Sequence, residues 1–266
     1  MDKIRLPNTD LDVSRFSFGT AQLHHIGSTA AQIAHLEAAA EHGFSHFDTA
    51  PLYGFGGAER ALGQVFSKES EITVATKVGL YPPGGCEQGR AETLVRKAAG
   101  KVWPQLSRPV VDLAVERARE SLERSLQRLG RDKIDLLLLH EPSTELLQTD
   151  EWLGWIEKER DRIRNVGIAG PHAVVRPFLD IYNPLVQVIQ TRDSLRRREA
   201  DILTSAGRPF QLTYGYFTGD THGLDGREIL SGALARNATG SVIVSTRSKE
   251  RLKDFAEVER QQREVH

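Results

Sequence analysis

Cysteine is almost missing from this 266-residue chain: Cys86 is the only one. No intrachain disulfide and no cysteine metal cluster can form, which suits a reducing cytoplasm as the expected location. An excess of one charge sign is missing too. Thirty-five Lys and Arg stand against 36 Asp and Glu, a net charge of −1. That balance offers no electrostatic footprint for nucleic acid or an anionic membrane. The one basic run, Ser194 to Asp201, is short and followed at once by acids, and reads as a solvated helix face. No apolar run approaches the length of a membrane span. The first residues carry acids and lack the apolar segment of a secretory leader. Gly-Ser linkers and low-complexity tracts are absent, so one domain over residues 1–266 is expected.

What is present is an alternation. Short apolar runs, "RFSFGTAQ", "FSHFDTA", "ITVATKVG", "IDLLLLHEP", "NVGIAG", "VQVIQTR", "PFQLTYGYF" and "SVIVSTRS", are separated by stretches of helical spacing. Runs such as "DLLLLH" are continuously apolar, as strands covered on both faces are. Helix signals lie between them. Ser28 and Gly43 bracket one segment, and Asp112 and Gly130 another, with Leu and Val repeating at helical spacing. An eightfold βα repeat of roughly thirty residues most simply closes into a TIM barrel. The rival open sheet carries a G-x-G-x-x-G turn after its first strand, and "FGTAQLHHIG" has none. Before the first strand, the residues around Asn8, Thr9 and Asp10 read as a small hairpin plugging the barrel bottom.

In such a barrel the working residues sit at the C-terminal ends of strands. Asp48 ends the second apolar run, Lys77 the third and His140 the fourth, with Tyr53 in the loop after Asp48. These four suit proton transfer to a carbonyl. A free phenol is a poor acid at neutral pH, and a neighbouring ammonium favours its ionisation. Asp48 supplies the counter-charge a buried Lys77 needs. His140, as a neutral donor, can orient a substrate oxygen beside the phenol. His46 and Asp48 also have the spacing of a metal pair, but Lys77 would oppose a cation, so no metal site is expected.

The segments "GFSHFDTAPLYGFGGAE", "ATKVG" and "IDLLLLHEPS" resemble the aldo-keto reductase superfamily, and the resemblance runs in order over nearly the whole chain. It implies a TIM barrel and an NADP(H)-dependent oxidoreductase acting on an aldehyde, ketone or sugar. Asp48, Tyr53, Lys77 and His140 would fill the catalytic tetrad, with Tyr53 as general acid or base and hydride passing without a metal. For cofactor contacts it implies Gly19 and Thr20 after the first strand, Asp48, Gln190, and Tyr214 or Tyr216 as the stacking aromatic. Thr246, Arg247, Ser248 and Arg251 would hold the adenosine end. The pair Arg247 and Arg251 favours NADPH over NADH, since two guanidinium groups beside a helix start make a phosphate clamp.

The chain departs from the family pattern at Ala169-Gly170, where Ser-Asn is usual, at Asp254-Phe255, where Glu-Asn is usual, and in a shortened "FQLTYGYFTGD". Such departures keep a second function in view: a cofactor-binding regulatory or sensor protein with little turnover. The long connection over residues 80–111, rich in cations and holding Trp103, is the expected substrate loop. A small carbonyl or sugar is the expected partner.

Overall fold

The structure is a computed structural model that describes residues 1–68, 71–85, 108–218, 221 and 223–265. The chain opens with an antiparallel hairpin, β1 (Lys3–Arg5) and β2 (Asp12–Ser14). Three barrel strands follow, β3 (Phe16–Gly19), β4 (His46–Asp48) and β5 (Thr73–Val78). A small antiparallel pair, β6 (Leu80–Tyr81) and β7 (Val110–Val111), closes the base of the long connection. Of that expected substrate loop, residues 86–107 lie outside the described residues. Five more barrel strands complete the set: β8 (Leu136–His140), β9 (Val166–Gly170), β10 (Val188–Arg192), β11 (Leu212–Tyr214) and β12 (Ser241–Val244). Neighbours pair in parallel and β12 returns to β3, with Val242 opposite Phe16, so the sheet is a closed barrel.

Eight α-helices stand among the described residues: α1 (Thr29–Glu41), α2 (Gly57–Phe66), α3 (Val115–Leu129), α4 (Thr149–Lys158), α5 (His172–Asp180), α6 (Asp201–Ser205), α7 (Gly226–Arg236) and α8 (Leu252–Val265). None of the described helices is long and apolar enough to cross a membrane. The Ser28 side chain caps α1 as expected, accepting from the Ala31 N–H. Asp112 does not cap α3. Its carboxylate accepts the Ala114 N–H instead, and Ala114 occupies the cap position. Gly130 ends α3 in the left-handed conformation.

The apolar residues divide into two cores. The outer one, between strands and helices, holds Phe16, Phe18, Phe47, Trp152 and Phe178, all essentially inaccessible. The inner one fills the barrel with Ala75, Leu136, Leu138, Ala169, Val188 and Leu212. Leu6, Leu11 and Val13 of the hairpin belong to the inner core. Asp10 is held by Arg164 and Asn165 before β9, and the Pro7 carbonyl by Gln211 before β11. The hairpin therefore plugs the N-terminal end of the barrel, as its position in the sequence predicts. With that end sealed, the polar strand ends at the opposite mouth are left to face a ligand.

Candidate active site

β4, β5 and β8 lie side by side, so their C-terminal residues converge. Asp48 ends β4, His140 ends β8, and Lys77 is one residue short of the end of β5. The Lys77 ammonium donates to Asp48 Oδ1 at 2.6 Å, to the Thr49 carbonyl at 2.9 Å and to Tyr53 Oη at 3.3 Å. All three donor directions of the ammonium are used, which a buried cation needs. Tyr53 is brought over the barrel by a tight loop. Its N–H donates to the Ala50 carbonyl, and Gly54, Phe55 and Gly56 follow with φ of 61°, 56° and 74°. The Tyr53 ring stands edge-on to His140, centroids 6.1 Å apart. The structure thus brings together the four residues singled out by the sequence.

The electrostatics differ from the simple expectation in one respect. Burial works against the Lys77 charge, but Asp48 and the Tyr53 hydroxyl outweigh it and hold the ammonium above its ordinary value. Burial likewise pushes the Tyr53 phenol up, and the opposing pull of Lys77 does not cancel it. The phenol in this resting site is therefore a retained proton donor, not an incipient phenolate. Burial, assisted by Lys77, takes His140 down to about 3, so its ring is neutral throughout the physiological range. Its Nδ1 is buried without a hydrogen-bond partner among the described residues.

Gln190 on β10 donates its amide to Asp48 Oδ1 at 2.9 Å, leaving Oε1 buried and unpartnered. Gly19 ends β3 opposite Asp48. Thr20 is fully buried, and both its N–H and its hydroxyl donate to the Asp48 carbonyl. It positions Asp48 and has no free hydroxyl proton to offer a ligand. The two tyrosines differ in burial and bonding. Tyr216 is buried and donates to Asp193 at 2.8 Å, whereas Tyr214 ends β11 partly exposed at the mouth. Gly170 ends β9 so near α5 that a Cβ there would stand 2.9 Å from Val174. Side-chain recognition at that position is traded for close packing.

A separate cavity of about 560 Å³ opens between α7 and α8, lined by Phe217, Arg227, Thr246, Arg251 and Phe255 among others. Arg251 and Thr246 reach it, but Arg247 is not among its lining residues, and the Ser248 hydroxyl donates to Glu250. Of the two arginines expected to form a clamp, Arg251 stands at the cavity wall and Arg247 does not. Phe255 packs edge-on against Phe16 and Phe44, so its side chain completes the outer core as well as the cavity. Asp254 is paired with Arg227. His46 bonds Thr73 through Nδ1, and Asp48 Oδ1 already serves Lys77 and Gln190. Arg192 and Glu141, both at strand ends beside the site, escaped the sequence reading. Arg192 carried a signal: it follows Gln190 by two residues, which puts both on one side of a strand.

A model of the Aldo/keto reductase family matches residues 15–176. Among characterised proteins, the D-threo-aldose 1-dehydrogenase of a Pseudomonas species is 32% identical over 213 residues, covering 79% of this chain and 57% of that protein. The NADH-specific methylglyoxal reductase of Escherichia coli (strain K12) is 32% identical over 215 residues, covering 74% and 60%. The chain thus spans little more than half the length of these relatives. Among solved structures, an aldo-keto reductase from Bacillus halodurans in its holo form superposes with a TM-score of 0.72 at 21% identity, covering all of this chain and 96% of that one. The glycerol dehydrogenase of Gluconobacter oxydans gives a TM-score of 0.71 at 19% identity, covering 99% and 93%. At these identities the structural likeness speaks for the fold.

Proposed function

The chain belongs to the aldo/keto reductase family, and on that premise we propose that it is an NADP(H)-dependent oxidoreductase acting on a small carbonyl or its alcohol. One observation carries the proposal: a buried ammonium, Lys77, joins the Asp48 carboxylate to the Tyr53 hydroxyl, with a neutral His140 against the same phenol. The cofactor when bound supplies or accepts hydride at the nicotinamide. The residues present fit it, since Gln190 Oε1 is an orphaned buried acceptor suited to a carboxamide N–H. Tyr214 offers a ring face at the mouth, and Thr246 and Arg251 would hold the adenosine end with its 2′-phosphate.

In reduction Tyr53 gives its proton to the nascent alkoxide oxygen. Lys77 stays charged and stabilises the phenolate left behind, and Asp48 keeps Lys77 in place. His140, neutral, donates a second hydrogen bond to the carbonyl oxygen and fixes its direction. In oxidation the same phenol takes the proton back. Sugars are included in the substrate class, because relatives carry names such as L-galactose dehydrogenase from Arabidopsis thaliana. A cytoplasmic setting suits the single cysteine.

The test is a fluorescence titration with NADPH and NADH, followed by a screen of aldehydes and sugars with Tyr53→Phe as control. Saturable binding, tighter for NADPH, and turnover lost about 10²–10⁴-fold in the variant are expected. Tight cofactor binding with no turnover of any carbonyl would instead favour a sensor. Absence of binding would sink both.

A further inference from the structure

We propose that Arg192 binds the diphosphate bridge of the dinucleotide, an inference that rests on the nicotinamide cofactor assigned above. Arg192 closes β10 two residues beyond Gln190 and lies opposite Tyr214 in the strand register. Alternation along the strand puts it on the same side as Gln190, at the barrel mouth. Its Nη2 donates to Thr218 Oγ1 at 3.1 Å, and Nε is buried with no hydrogen-bond partner among the described residues. Glu199 Oε1 stands 4.0 Å from Nε, an ion pair beyond hydrogen-bond range, while its Oε2 accepts from Ser194 at 2.6 Å. The guanidinium is thus paired with Glu199 only at long range and keeps an unbonded Nε, and its side chain remains 39% exposed. Two other arginines on this side of the barrel are consumed: Arg236 by both oxygens of Asp193, and Arg227 by Asp254 and Glu257.

The position supplies the ligand's identity. One end of the Arg192 environment is Tyr214 and Gln190. The other end is Thr218, the residue after Phe217, which lines the cavity with Thr246 and Arg251. Gly215, at φ of 101°, makes the turn between them, and a Cβ there would stand 2.9 Å from Arg192 Cγ. The arginine stem therefore lies against the turn that separates the two halves of the site. A molecule with its nicotinamide at Gln190 and its adenosine in the cavity must carry two phosphates across that turn. An arginine fork is suited to phosphate oxygens there.

The proposal is tested by calorimetric titration of Arg192→Met and Arg192→Lys. The probes are ADP-ribose, which carries the diphosphate, 2′-AMP, which does not, and NADPH. In the Met variant, ADP-ribose and NADPH should bind about tenfold or more weakly, with a shallower salt dependence, while 2′-AMP changes by less than about twofold. The Lys variant should recover part of the loss by restoring charge without the fork. Unchanged ADP-ribose binding in the Met variant overturns the proposal and leaves the oxidoreductase reading standing. So does a rise in KM confined to carboxylated aldehydes, which would assign Arg192 to the substrate. Equal loss for 2′-AMP with a lowered melting temperature would make the role structural and overturn it as well. A wild-type protein that binds none of the three overturns the cofactor reading and this proposal with it.

Discussion

The two ends of the candidate site are built differently. At the Tyr53 end, every polar group comes from a strand or the first turn after one, and Lys77, Asp48 and Gln190 form one buried network. At the Arg251 end, Thr246 and Arg251 come from a loop and a helix start, and Arg251 is exposed. The barrel fixes the first end through strand register, leaving little freedom for any of its side chains. The second end depends on loop length and on the seating of α8, so of two similar residues there only Arg251, and not Arg247, lines the cavity. Under the proposed function, chemistry falls to the rigid end and cofactor preference to the adjustable one.

The contrast can be broken most severely at Lys77. Lys77→Met leaves Asp48 buried beside an uncharged chain and Tyr53 without a cation. A stability loss of about 3–5 kcal/mol and near-complete loss of turnover are expected, read by denaturant unfolding and steady-state kinetics. Tyr53→Phe should separate the two effects. Its hydroxyl receives only a long bond from Lys77, so turnover should fall about 10²–10⁴-fold while the melting temperature stays close to wild type. Preserved turnover would mean that another group moves the proton.

Acid should attack the same rigid end. Burial, with Lys77 adding to it, holds both His46 and His140 at about 3. The folded values lie below the unfolded one, so the unfolded chain binds more protons over the interval between them. Stability is therefore lost as pH falls from about 6.5 toward 3, at ~1.4 kcal/mol per pH unit for each histidine. His140→Asn should flatten the stability profile by one proton's slope. Turnover offers a milder sign test. With Tyr53 raised by burial, the reduction rate should stay flat across neutral pH and fall only above the ordinary phenol range, while oxidation rises with pH.

The smallest effects are expected at the adjustable end. Arg251→Ala should weaken NADPH about tenfold and NADH much less, because the lost contact is a charge-assisted one to the 2′-phosphate. Arg247→Ala should change either affinity by no more than about twofold, being a solvated charge. Equal sensitivity to the two substitutions would restore the two-arginine clamp that the sequence suggested.

Which features were readable from the residues follows from the same contrast. The convergence of Asp48, Lys77 and His140 was legible because a carboxylate, an ammonium and an imidazole at or next to the end of apolar strands break a local pattern in a way a barrel mouth explains. Ser28 and Gly130 were legible because caps are local chemistry. Asp112 was misread by two residues, since an Asx-type bond and a helix cap look alike in sequence. Tyr214 and Tyr216 could not be told apart, because only the packed structure shows Asp193 waiting for one of them. Arg192 was overlooked because its significance depends on Thr218, a residue of another element.

The sequence by itself determined the barrel and which four polar residues, Asp48, Tyr53, Lys77 and His140, meet at its mouth. Strand period, apolar runs and strand-end polarity are written residue by residue and survive any reasonable packing. Tertiary structure alone decided which tyrosine stays partly exposed at the barrel mouth, which arginine lines the cavity, and that the Tyr53 proton is held more tightly than in water. Those outcomes depend on burial and on partners brought from distant segments. No local stretch of chain carries that information.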